Sequence, residues 1–151
     1  MPITLRRAIV EDADAVAAVY LASFRFALPA VRLAHTDDEV RGWIAGHVIP
    51  NLETWLAEDA GVVVAMMALA PGWIEQLYVA PGRTGEGIGA QLLALAQERA
   101  TGPLELWTFQ VNAGARRFYE RHGFVAVAFT DGSGNEEHEA DVRYRWEPPS
   151  P

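Results

Sequence analysis

Apolar residues change their period several times along the chain, and each change predicts an element. Thr4 to Ala8 reads as a short first strand, after which Glu11-Asp12-Ala13-Asp14 opens an alanine-rich stretch with Val16, Val19, Tyr20 and Phe24 at helical spacing. Pro29 interrupts that stripe. Thr36-Asp37-Asp38-Glu39 then offers a cap with an acidic group three positions on, opening a second helix through Val40, Trp43, Ile44 and Val48 that Pro50 ends. Thr54 to Glu58 and Gly61 to Ala70 read as strands joined by an Asp59-Ala60-Gly61 turn, and Pro71-Gly72 leads into a strand from Ile74 to Val79. A glycine-rich turn follows. Ile88, Leu92, Leu93, Leu95 and Ala96 then mark a helix that stops at Gly102-Pro103. The remainder predicts a strand from Leu104 to Gln110, a helix from Asn112 to His122, a strand from Phe124 to Thr130, a polar loop from Asp131 to Glu137 and a last strand near Asp141 to Trp146.

Helices inserted into a largely antiparallel run, with one strand-helix-strand crossover, imply an α+β fold. The expected form is a mixed, mostly antiparallel sheet of about seven strands flanked by about four helices. At 151 residues, half of them apolar, the chain is sized for one domain, here 1–147, with the Pro-Pro-Ser-Pro tail at 148–151 expected to be disordered. No apolar run approaches the ~18 residues of a membrane span, and the N-terminus lacks the apolar stretch of a signal peptide. A soluble cytoplasmic protein without a membrane partner is the expectation. Twenty acidic residues against twelve basic give a net charge of −8, which argues against nucleic acid as the main partner and favours small cations. The absence of cysteine excludes a disulfide framework, a thiolate metal site and a cysteine acyl-enzyme, and no metal is expected. The apolar strands fit a core or an interface, so a homodimer stays open.

Candidate chemistry starts at the glycine turn, Thr84-Gly85-Glu86-Gly87-Ile88-Gly89. Glycines at every second position let successive backbone N–H groups converge, and the helix that follows adds its positive end. A phosphate-bearing ligand fits such a cradle. No Gly-Lys-Ser/Thr follows, so the nucleotide-triphosphate loop is excluded. Gly85-x-Gly87-x-x-Ala90, with Glu105 twenty residues on, satisfies a permissive dinucleotide fingerprint. Context opposes that reading, because six positions separate Val79 from Gly85 and Glu105 opens its strand.

The strand, glycine loop and helix, followed by a second strand and then Asn112-Ala113-Gly114-Ala115-Arg116-Arg117-Phe118-Tyr119-Glu120 and Gly123-Phe124, resemble the acetyl-coenzyme A signature of the GCN5-related N-acetyltransferase (GNAT) superfamily. The resemblance implies the acyl-CoA N-acyltransferase (GNAT) fold, acetyl-CoA as cofactor and an amine of a small molecule, or of a peptide or protein, as acceptor. It implies that the coenzyme pyrophosphate meets backbone N–H groups of Thr84, Gly85, Glu86, Gly87, Ile88, Gly89 and Ala90, with Arg83 able to add charge. Thr84 stands where the family usually has Gln or Arg. The pantetheine arm would pair with the backbone of Leu77, Tyr78 and Val79, in a gap where that strand splays from Leu104–Gln110.

By the same resemblance Asn112 bonds the coenzyme arm and Tyr119 is the acid that protonates the departing thiolate. Asn112 and Tyr119 are seven residues apart, about two helical turns, and so share a face of a helix that contains both; a helix N-cap is the competing role for Asn112. A phenol with a pKa near 10 is protonated at neutral pH. Without cysteine, transfer is direct or uses an oxygen nucleophile. A backbone N–H near Leu77 or Tyr78, freed by a bulge, is the expected oxyanion donor. Glu75 is the first candidate base, with His122 and His138 as alternatives, and strand alternation groups Glu75 with Leu77 and Val79. Phe24, Trp43, Trp73, Glu136 and Glu137 are candidate acceptor-binding residues, since aromatics with carboxylates suit a cationic amine. The rival readings are a catalytically silent acyl-CoA-binding module and a dinucleotide-binding domain.

Overall fold

The computed structural model describes residues 2–150, and the predicted order of strands and helices is present within them. Seven strands form one sheet: β1 (Thr4–Arg7), β2 (Glu53–Asp59), β3 (Val62–Ala70), β4 (Trp73–Val79), β5 (Leu104–Phe109), β6 (Val125–Phe129) and β7 (Asp141–Trp146), in the spatial order β1-β2-β3-β4-β5-β7-β6. Every neighbouring pair is antiparallel except β4 and β5. The β2–β3 hairpin turns on Ala60 and Gly61, both with positive φ, between the paired residues Asp59 and Val62, the geometry that matches strand twist. Pro151 of the expected disordered tail lies outside the described residues, and residues 148–150 are exposed and in no strand or helix.

Helices cover both faces of the sheet. On one face, α1 (Ala13–Ala27) and the helical path α2 (Asp37–Trp43), a wider π-type turn (Ile44–Val48) and α3 (Ile49–Asn51) bury Val16, Ala17, Ile44 and Val48 against Leu56, Met66 and Ala68. On the other, α4 (Ile88–Arg99) and α5 (Ala113–Arg121) bury Ile88, Leu92, Leu93 and Tyr119 against Met67, Leu106 and Tyr144. The Thr36 cap forms as predicted: its hydroxyl accepts from the Glu39 N–H at 3.2 Å while the Glu39 carboxylate accepts from the Thr36 N–H at 2.8 Å. The path continues through Pro50, the predicted stop, to Asn51. The widened turn immediately before Pro50 is where a residue without an N–H is accommodated. Thr54, the one buried polar or charged residue among the described residues, donates to the carbonyls of Val48 and Leu52 and ties this helical path to β2.

The β6–β7 loop is shaped by Gly132, whose φ of +86° favours glycine and whose added Cβ would meet the backbone of Glu139 and, at 2.8 Å, the nitrogen of Ala140. Replacing Gly132 with alanine is expected to cost about 1–3 kcal/mol, enough to lower the Tm by several degrees at roughly 2–4 °C per kcal/mol for a chain of this length. Thermal denaturation monitored by circular dichroism checks it.

Candidate active site

A gap in the sheet organises the site. β4 and β5 are matched only at Trp73 and Glu105, next to a bond from the Glu105 N–H to the Gly72 carbonyl at 2.9 Å. Beyond that rung β5 stays with β7 as far as Asp141, and β4 stays with β3 as far as Ala65. The edge of Leu77 and Val79 that turns toward β5 has no strand partner, an unmet set of backbone groups that an extended ligand can complete. The predicted splay is thus present.

β4 also carries the expected bulge, but earlier than expected. Ala68 pairs with Gln76 and Leu69 with Ile74, so Glu75 is the extra residue. The alternation is interrupted there: Ile74 and Leu77, three apart, both belong to the core on the α4 side, and Glu75, which simple alternation groups with Leu77 and Val79, is exposed at the break. Tyr78 lies on the opposite face, with the α1-side core.

The glycine loop leaves β4 through a type II turn, with Pro81 second, Gly82 third at φ +85°, and the Arg83 N–H donating to the Ala80 carbonyl at 3.0 Å. Gly85 and Gly87 take φ of +79° and +82°, and Gly87 precedes α4 without any side chain to cap it. The first helical bond runs from the Gln91 N–H to the Gly87 carbonyl. Among the described residues, the N–H groups of Gly87, Ile88, Gly89 and Ala90 meet no protein acceptor. That leaves a run of free donors at the positive end of a helix, the arrangement that binds phosphate. A Cβ at Gly89 would stand 3.4 Å from Phe118 and 3.5 Å from Val79, so the cradle is packed directly on α5 and β4. Arg83, expected to offer its charge to a phosphate, is engaged elsewhere. Its guanidinium donates to Glu86 at 3.0 Å and to Asp59 at 2.8 Å, which pins the loop to the β2–β3 hairpin.

Asn112 caps α5, its side-chain oxygen accepting from the Ala115 N–H at 3.1 Å. With φ −83° and ψ 74° it stands outside the helix, so the shared-face relation to Tyr119 does not hold; its amide nitrogen remains free among the described residues. Tyr119 is buried, 7% exposed, with its ring 5.6 Å from Phe124 and 5.2 Å from Phe118. Its hydroxyl has no protein partner among the described residues, and burial holds its pKa well above the ordinary value, so it remains a proton donor at neutral pH. Tyr144 fixes the helix beneath it, donating to Glu120 at 2.6 Å and accepting from Arg116 at 3.0 Å.

Aromatic rings from several elements meet on the α1 side of the gap. Tyr20 stands 4.8 Å from Tyr78, 5.9 Å from Trp43 and 6.3 Å from Phe24, and Phe24 stands 6.2 Å from Phe109. Burial, followed by the Glu137 carboxylate, pushes the Tyr20 hydroxyl up to about 12; burial, followed by Tyr20, also raises Tyr78, with Tyr119 and Glu137 adding less. A cavity of about 430 Å³ beside them is lined by Phe24, Arg25, Val31, Leu33, His35, Thr36 and Asp37. His35 and Glu136, 101 residues apart, form an ion pair that joins the α1–α2 segment to the β6–β7 loop.

Trp73 does not join this group. It is level with Glu105, which pairs with Arg145, whereas the β6–β7 loop emerges at Asp141, opposite Phe109 at the other end of β5. His122 bonds the Phe118 carbonyl at 2.8 Å on the C-terminal turn of α5, and His138 is exposed with φ +52°. Tyr20, His35 and Phe109 were not singled out as site residues from the sequence. Tyr20 carried the one usable signal, a phenol set in an otherwise hydrocarbon stripe.

A model of the Acetyltransferase (GNAT) family matches residues 14–124 of the chain. The chain is 34% identical over 144 residues to the aminoalkylphosphonate N-acetyltransferase of Salmonella typhimurium, a match that spans 85% of this chain and 90% of that relative. Apo YjaB from Escherichia coli shares the fold with a TM-score of 0.80 at 20% identity, covering 97% of this chain and 98% of that one. The PaiA N-acetyltransferase of Thermoplasma acidophilum, solved in complex with coenzyme A, does so with a TM-score of 0.76 at 18% identity, covering 97% and 99%.

Glu136 raises the pKa of His35, first by their hydrogen bond and then by charge, with Glu39 and Glu137 adding to it. The link is complete below the ordinary histidine value near 6.5 and is lost as pH rises through the raised one. An NMR titration is expected to place the His35 midpoint above that ordinary value, and Glu136→Gln is expected to bring it back down.

Proposed function

The chain belongs to the Acetyltransferase (GNAT) family, and from that premise we propose that it transfers the acetyl group of acetyl-CoA directly to a primary amine within a ternary complex. The observation that carries this reading is the combination of three features around one gap: an unpaired β4 edge, free N–H donors at the start of α4, and a buried Tyr119 ring whose hydroxyl has no protein partner among the described residues. Acetyl-CoA supplies an activated thioester there. The donors of Gly87 to Ala90 suit its pyrophosphate, Leu77 and Val79 its arm, and the free amide nitrogen of Asn112 a carbonyl along that arm.

The residues of the chain divide the proton work. Glu75, exposed on the bulge, takes a proton from the incoming ammonium through water, which frees the lone pair for attack. A backbone N–H in the bulged stretch of β4 holds the oxyanion charge. Tyr119, kept protonated by burial, hydrogen-bonds the departing sulfur and supplies its proton as the carbon–sulfur bond breaks, made good by the proton that the acylated nitrogen sheds. The acceptor class is a small-molecule amine, with a peptide or protein amine as the broader alternative; the Salmonella relative is named for aminoalkylphosphonates, one kind of primary amine. A coenzyme-binding module without turnover is the competing reading.

Tyr119→Phe is expected to lower kcat by roughly 10²–10⁴-fold, the span usual for losing a general acid, with little change in acetyl-CoA affinity. Thiol release in the presence of an amine panel and calorimetric binding of acetyl-CoA read the two quantities separately. Glu75→Gln is expected to depress kcat most at low pH and to recover as the free amine fraction rises. Tight acetyl-CoA binding with no thiol release from any amine would instead favour the binding module.

A further inference from the structure

The two outer strands of the sheet are guarded very differently. β1 is four residues long and carries Arg6 and Arg7, with Arg6 bonded to Asp12 and Glu58 and Arg7 standing 5.7 Å from the Trp55 ring, so that charge lines that edge. β6 has no such protection. From Gly123 to Thr130 there is neither a charged residue nor a proline, and Val125, Val127 and Phe129 are 64%, 45% and 58% exposed. The inner side of β6 is taken by β7, which leaves its outer backbone groups without a strand. Its one irregularity is a bulge: Ala126 pairs with Tyr144 and Ala128 with Arg143, so Val127 is the extra residue. A bulge shortens the ladder that a further strand can form there, but it covers none of the three apolar side chains. Arg116 stacks on the Phe129 ring at 5.6 Å and leaves the two valines open. The ends of the strand carry opposite charges. Arg121 closes α5 just before it and Asp131 follows it, both exposed and, among the described residues, without an ion-pair partner.

We propose that β6 is the contact between two copies of this chain, set antiparallel and edge to edge about a two-fold axis near Val127. Such a pairing is self-complementary: the Arg121 end of each strand meets the Asp131 end of the other, so the chain supplies the opposite charge twice over. A parallel arrangement would set like charges together at both ends. Between the ends, three exposed large apolar side chains within five residues gain apolar neighbours, and part of the outer backbone edge gains a partner. A five-residue strand with a bulge makes a contact at the small end of interface size, so the dimer is weak, with a Kd roughly in the micromolar range. The gap between β4 and β5 is separated from β6 by β7 and stays free in this assembly. The inference therefore stands apart from the acetyl-transfer reading.

Sedimentation equilibrium of the full chain from about 1 to 500 µM, a span that brackets that Kd, is the test. A reversible equilibrium between monomer and dimer is expected. Val127→Lys, which puts a charge on the edge at an exposed position, is expected to raise Kd by about tenfold or more, whereas Val62→Lys, at another exposed valine in the β2–β3 hairpin, is expected to leave it unchanged. Asp131→Arg is expected to weaken the dimer by setting like charges together. Adding Arg121→Asp to it is expected to restore the dimer, since the exchanged pair meets again only in the antiparallel arrangement. Circular dichroism and thermal denaturation establish that each variant is folded. A monomer throughout the range, aggregates that grow with concentration, a dimer indifferent to Val127→Lys, or a double variant no better than Asp131→Arg alone would each overturn the proposal.

Discussion

The single rung between β4 and β5 is the constraint on which the other features of the site depend. A sheet gains by pairing every edge, and an unpaired backbone group shielded from water costs about as much as a lost hydrogen bond. Here two central strands are parted after Trp73 and Glu105 while each keeps its outer neighbour, β3 for one and β7 for the other. Nothing local to β4 and β5 repays the missing rungs. The cores on the two faces hold the halves in place: Leu92, Leu93 and Leu106 under α4 and α5, Leu56, Met66 and Ile44 under α1 and α2. The gap is a deficit fixed by the rest of the molecule, and its free edge is the backbone that an extended ligand could pair with.

Because the gap is bounded by α4 and α5, what matters next is how firmly those helices sit. Phe118 and Tyr119 face different neighbours and do different work. Phe118 and Val79 both stand within van der Waals reach of a Cβ placed at Gly89, so the start of α4 lies close against α5 and the end of β4. Tyr119 enters the core against Phe124 and Tyr144, and Tyr144 is held by Glu120 and Arg116 of the same helix. The candidate acid is therefore oriented by packing on one side and by a closed polar network below, while its own hydroxyl is left without a partner. A free hydroxyl on an otherwise fixed ring is what a proton donor awaiting a ligand requires.

Much of this was legible in the sequence because it depends on local rules. Thr36 and Glu39 announce a cap, Gly85 and Gly87 announce positive φ before a helix, and the order of strands and helices follows from periodicity. The features that were not legible depend on register or on contacts distant in sequence. A bulge at Glu75 shifts every later side chain by one step, and no pattern of residue types marks which position is extra. Asn112 looked like a member of the Tyr119 face because a count of seven ignores where the helix begins. Trp73 looked like a pocket aromatic, but its position along β4 relative to the β6–β7 loop is set by pairing through β5 and β7. His35 was invisible as a partner of Glu136 because the two are joined only by the fold.

That last contact also bears on how an acidic protein chooses its ligand. A net charge of −8 acts at long range on every cation alike, and at physiological ionic strength it is screened beyond a Debye length of about 8 Å. It cannot sort one amine from another. Selection requires a charge that is near, partly dry and unopposed, and Glu136 fails the last condition once His35 is against it. The ion pair does something else: it joins the β6–β7 loop to the α1–α2 segment. Discrimination among cations needs charges fixed at short range, which the net charge of the whole chain does not supply.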